Sequence, residues 1–185
     1  MNKTLMFLPA LGLTAVFACA APPARAELFD QDASVAPGAA IASSDVRWME
    51  KAVRAQAAQV EAGKLAQAQG QSGQVRDLGG KLAAANARLS EELTALATRK
   101  QVVLPNQPDA AHRDELRKLA GMRAADFDRE YFNSSGLKDN EETAKLCADG
   151  IDDLKDADLK AYAARTLAAL KRQHALLRAV VVVQQ

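Results

Sequence analysis

Beyond about residue 43 the apolar side chains recur at spacings of three and four, and no stretch keeps the two-residue rhythm of a strand. The pattern predicts a first helix over about 44–69, capped by Ser44, with Val46, Met49, Val53, Gln56, Val60 and Gly63 on one stripe. "GQSG" at 70–73 closes it. The second stripe, Val75, Leu78, Leu82, Asn86, Leu89, Leu93 and Leu96, is the cleanest in the chain and predicts a helix over about 74–100. Pro105 and Pro108 in "VVLPNQPD" then stop helical continuation, because proline lacks an N–H and its ring clashes with the preceding turn. Asp109 is placed to cap a short helix, "AAHRDELRKLAG", that ends at Gly121.

A third long helix is predicted from about Ala124. It holds Phe127 and Tyr131, passes through "NSSG", a patch of weak helix formers, and resumes with Leu137, Asn140, Ala144, Cys147 and Ile151. "DGIDDLKD" ends it, and a fourth helix follows from about Asp156 with Leu159, Ala163, Thr166, Leu170, His174, Leu177 and Val181 inward. The predicted fold class is all-α: an antiparallel four-helix bundle over 44–183, with a short extra helix between helices two and three.

Three of these apolar stripes carry a single polar residue near mid-length: Asn86, Asn140 and His174. The first helix brings Gln56 or Gln59 on adjoining inward lines. In a bundle such positions can meet at one level. An amide or imidazole buried without a partner costs about 1–3 kcal/mol, so mutual hydrogen bonding is the favourable arrangement.

The donor chemistry of that cluster decides what it can hold. Bundles that bind two irons or manganese use a Glu on each of two helices and a Glu-x-x-His pair on each of the others. No Glu-x-x-His occurs in this chain, and the nearest approach, "DAAH" from Asp109 to His112, lies on the short helix. One imidazole among neutral amides is a poor transition-metal site. His174 is therefore read as a hydrogen-bonded core histidine, with a metal ligand as the alternative.

The amino terminus changes the compartment. Lys3, an apolar run from Leu5 to Ala20 and "ARA" before Glu27 have the layout of a secretory signal peptide over 1–26, cut after Ala26. Lipoprotein processing at Cys19 is the lesser alternative, disfavoured by the bulky Phe17. Residues 27–43, small and polar with Pro and Gly, read as a flexible leader. Loss of 1–26 removes Lys3 and Arg25 and no acid, so the formal charge of +1 becomes −1. Such a chain has no electrostatic case for nucleic acid or acidic lipid. It keeps Cys147 alone and so cannot build an internal disulfide.

The remaining candidates have ordinary readings. Cys147 on an inner stripe is a small buried hydrophobe, and Trp48, Phe127 and Tyr131 are core aromatics. "DGIDDLKDAD" lacks the sixth-position glycine and the closing glutamate of a calcium loop and reads as a solvated turn with a helix cap. His112 is expected to be exposed, and "AVVVVQQ" either finishes helix four or meets a partner. No catalytic triad, nucleotide loop or zinc spacing is present, and no catalytic residue, metal or cofactor is assigned.

Three stretches carry a family resemblance: "VEAGKLAQAQGQSGQVRDLGGKLAAANARLSEELTALATRKQVVLP", "LRKLAGMRAADFDREYF" and "LKAYAARTLAALKRQHALL". They resemble the exported ferritin-like proteins grouped as domain-of-unknown-function family 4142 and labelled predicted outer membrane proteins. The likeness runs from about Val46 to Ala179. It implies a ferritin-like fold and a polar cluster: a Glu in helix one, an Asp-His pair in helix two, a His in helix three and a His late in helix four. These fall on Gln59, on Ala85 and Asn86, on Asn140 and on His174, so only the last keeps the family's residue. The expectation is an exported, periplasmic, metal-free structural or interaction protein of the cell envelope, with a role in stress tolerance and no enzymatic activity. Its partner would be an envelope protein or a second copy of itself. The alternative is a metal-binding or redox bundle that uses His174 with Glu61 or Asp139.

Overall fold

The computed structural model describes residues 40–183. The predicted signal segment with Cys19, the leader up to residue 39 and the side chains of the closing "VVVQQ" lie outside the described residues. Among the described residues every regular element is helical. They are α1 (Ser43–Gln69), α2 (Gly73–Arg99), α3 (Ala110–Gly121), α4 (Ala124–Tyr131), a π-helical stretch (Phe132–Lys138), α5 (Asp139–Asp153) and α6 (Ala157–Val183). No helix among them is long and apolar enough to cross a membrane.

The stripes become contacts. α1 packs on α2 and α5, and α6 packs on α5 and α2, so each of these four helices has two neighbours among the other three. Small residues set the closest approach. A Cβ on Gly79 would lie 2.6 Å from the Ala66 Cβ, and one on Gly63 would lie 2.7 Å from the Gly79 carbonyl oxygen. Gly63 thus sits on the inward stripe because the α1 and α2 backbones nearly touch there. Gly150 does the same for Trp48, whose Nε1 would meet a Cβ at 2.5 Å and instead donates to the Leu146 carbonyl at 3.0 Å.

Caps fix where the helices begin, with one change from expectation. Ser72 accepts from the Val75 N–H at 3.1 Å, Asp109 from His112 N–H at 2.9 Å, and Asp156 from Leu159 N–H at 3.1 Å. Ser44, however, is not the cap of α1. Ala42 holds that position without a side-chain bond, and the Ser44 hydroxyl donates to Asp45 Oδ1 at 3.1 Å. The buried Asp45 carboxylate is engaged farther away, accepting from the backbone N–H groups of Lys155 at 3.0 Å and Asp156 at 2.8 Å. It ties the start of α1 to the turn before α6. Lys100 closes the same end with ion pairs to Asp156 at 2.6 Å and Asp158 at 2.9 Å.

The predicted third helix is one continuous run of α4, the π-helical stretch and α5. "NSSG" does not break it; the hydrogen-bond ladder loosens there to the wider π pattern, a feature that often marks a functional or strained position. Two apolar clusters fill the interior. One contains Trp48, Met49, Leu93, Leu159, Tyr162 and Leu170. The other contains Val75, Leu78, Leu119, Phe127, Tyr131 and Leu177. On α1, α2, α5 and α6 a level of buried polar residues falls between the clusters.

Candidate functional site

Gln59 of α1, Asn86 of α2, Asn140 of α5 and Gln173 of α6 form that polar level, each at least nine-tenths buried. Gln59 Nε2 donates to the Asp139 carbonyl at 3.0 Å and to Thr143 Oγ1 at 2.9 Å. Gln173 Oε1 accepts from Asn140 Nδ2 at 3.2 Å and from Asn86 Nδ2 at 3.4 Å. Asn86 Nδ2 also donates to the Leu82 carbonyl one turn back at 3.0 Å. The predicted residues Gln59, Asn86 and Asn140 therefore come together; His174 does not join them.

His174 is about 25 % exposed, with Nε2 at 3.7 Å from Glu141 Oε1, and it lines a surface pocket with Asn140, Glu141, Ala144 and Lys171. The inward line of α6 is Leu159, Tyr162, Thr166, Leu170, Gln173 and Leu177. After Leu170 that line advances by three residues, to Gln173, whereas the predicted line through His174 advances by four. Both steps satisfy helical spacing, so periodicity admits Gln173 and His174 equally. The burial of Tyr162, which sets the three–four–four rhythm ahead of Gln173, is itself decided by packing, so spacing alone carries no signal for Gln173.

A second polar node lies one turn away on α1. Gln56 Nε2 donates to the Tyr162 hydroxyl at 2.6 Å, and that hydroxyl donates to the Leu89 carbonyl at 2.9 Å. Burial pushes the Tyr162 phenol up to about 12 and the Cys147 thiol up to about 12. Neither ionises near neutral pH, so Cys147 is a poor nucleophile.

Acids elsewhere have structural duties. Asp128, the aspartate of "FDREYF", accepts from the backbone N–H of Gln71 at 2.9 Å and of Ser72 at 3.4 Å, and so holds the turn between α1 and α2. Asp139 is buried, and loss of solvent pushes its carboxyl up to about 6; the nearby His112 opposes that shift. His112 is half-buried where exposure was expected, with Nδ1 at 2.9 Å from Asp109 Oδ1.

Residues 30–180 match the family described as Domain of unknown function (DUF4142). The chain belongs to the DUF4142 family. No curated protein and no solved structure matches it. In this DUF4142 chain the central level offers carboxamides, which are weak donors without charge. Among the described residues no group of three or more His, Cys, Asp or Glu side chains is arranged to hold a metal ion. Glu61, a candidate partner for His174, instead lines an open groove of about 570 Å³ between α1 and α3 with Lys64, Leu65, Arg113, Leu116 and Arg117. That groove has an apolar floor and a charged rim, and no nucleophile and base are paired in it.

Proposed function

We propose that this DUF4142 protein is an exported, ferritin-like four-helix bundle of the periplasm that binds no metal. It serves the cell envelope as a structural or interaction protein, in stress tolerance, and not as an enzyme. Its partner is another envelope protein or a second copy of the chain. The observation that carries the reading is the chemistry of the central level, where Gln59, Asn86, Asn140 and Gln173 are all neutral carboxamides bonded to one another or to backbone and hydroxyl groups. A metal centre needs charged or imidazole donors at that level. The secretory pattern of residues 1–26 supports export.

The competing reading, a metal or redox bundle centred on His174, is favoured by one feature, the imidazole lying 3.7 Å from Glu141. Elemental analysis of untagged protein purified from the periplasm, beside its His174→Ala variant, separates the two. No stoichiometric metal in either protein is the expected result. About one equivalent in the parent that disappears in the variant overturns the metal-free reading. The mass of the purified chain tests export in the same sample: a start at Glu27 is expected, a lipidated start at Cys19 would mean export by the other processing route, and an uncut chain contradicts export.

A further inference from the structure

We infer that the carboxamide level of the core is a binding site for one water molecule, held jointly by Asn86, Asn140 and Gln173. The oxygen and nitrogen of a side-chain amide are distinguished by their partners, and here the partners form a chain of constraints. The Leu82 carbonyl can only accept, so the Asn86 atom 3.0 Å from it is the NH₂ group. The Gln173 atom 3.4 Å from that NH₂ is then its oxygen, and the Asn140 atom 3.2 Å from the same oxygen is again an NH₂ group. Every orientation in the triad follows from one backbone carbonyl.

What remains is two acceptors and one donor. Asn86 Oδ1, Asn140 Oδ1 and Gln173 Nε2 are buried, and no protein group bonds to them. All three side chains line one internal cavity of about 10 Å³, with Gln59, Ser135 and Gly136 also on its wall. That volume approaches the roughly 10–15 Å³ required by one water. The occupant must therefore be small, donate twice and accept once. A metal cation would suit the two oxygens and face the protons of Gln173 Nε2, whereas a halide would suit Nε2 and face both oxygens. Water meets all three demands, and a buried water commonly makes about three such bonds. Bridging α2, α5 and α6, it holds the level together where a charged cluster would use a metal.

The inference rests on the neutral-cluster reading of this level, and its test separates the two. Crystals of the full chain grown with Mn²⁺ are expected to show one density peak within roughly 2.7–3.2 Å of the three free atoms, without anomalous signal. In ¹⁵N-labelled protein the Gln173 side-chain amide is expected to show an exchange-independent cross-peak to a long-lived water. In Asn140→Leu, which removes an acceptor and fills the cavity, that cross-peak is lost. A manganese signal at the site overturns both the water and the metal-free reading. An empty site, with no water cross-peak in metal-free parent protein, overturns the water alone, and that comparison does not depend on the variant folding.

Discussion

The two polar nodes of the core differ in how completely they close. At the Gln56–Tyr162 node the phenol hydroxyl accepts from the amide and donates to the Leu89 carbonyl, so one rigid ring serves two neighbours and Gln56 Oε1 is the one atom of the pair left unbonded to protein. At the Asn86–Gln173–Asn140 node a single oxygen accepts from both asparagines, and three polar atoms stay unbonded to protein around a cavity. The first node is enclosed by an apolar cluster with Trp48 edge-on to Tyr162 at 6.2 Å. The second abuts the π-helical stretch, whose Ser135 and Gly136 reach the cavity wall. A hydroxyl on a ring can close a hydrogen-bond chain within one residue; three amides cannot, because each brings two donors and two acceptor sites that must be matched elsewhere.

That contrast can be broken by substitution. The largest expected effect is in the apolar cluster: Leu93→Ala, at a fully buried position, should lose about 3–5 kcal/mol in urea denaturation, since the packed surroundings cannot collapse onto the gap. Leu82→Ala, beside the polar cavity, should lose less, about 2–3 kcal/mol, because a space next to polar groups can hydrate. Equal losses would mean that the two regions are packed alike.

Next come the nodes themselves. Tyr162→Phe keeps the ring but leaves Gln56 Nε2 without its acceptor, and Gln173→Ala strips the shared oxygen from both asparagines. Each should lower stability by about 1–3 kcal/mol, read as a shift in denaturation midpoint at unchanged slope. Asp139 should produce a smaller, pH-dependent effect. Its carboxyl is raised from 3.8 to about 6 in the folded chain, so the folded state binds the proton more tightly than the unfolded state. Its contribution is then present at low pH and is lost as pH rises through about 6. Asp139→Asn should flatten the stability profile between about pH 4 and 6 and gain about 1 kcal/mol at pH 8. A variant as pH-sensitive as the parent would assign that slope to another group.

The smallest effect is expected at His174→Ala, within about 0.5 kcal/mol, because the side chain lies at the surface beside Glu141. Placed against Gln173→Ala, it measures how sharply the core ends between two consecutive residues.

Much of the architecture was legible along the chain. The three–four recurrence of Val75, Leu78, Leu82, Asn86, Leu93 and Leu96 defines the buried face of α2, and Pro105 and Pro108 mark its break. Asp109 caps the start of α3 as local chemistry requires, and Gly121 is its last helical residue, with the extended Met122 at the C-cap. Asn86 and Asn140 were identifiable as buried amides because each interrupts an otherwise apolar line. These are properties of one helix at a time, carried by steric and hydrogen-bonding preferences within a few residues.

Tertiary structure alone decided which of Gln173 and His174 faces inward. Adjacent residues on a helix are separated by about 100°, and the angle at which α6 meets α2 and α5 chooses between them. It also decided that the helix, whose passage through "NSSG" the spacing predicts, takes the wider π form there. The destinations of Asp45 and Asp128 are likewise invisible in sequence: each carboxylate satisfies backbone N–H groups far along the chain. Spacing determines a helix's faces, but only the neighbouring helices determine what each face meets.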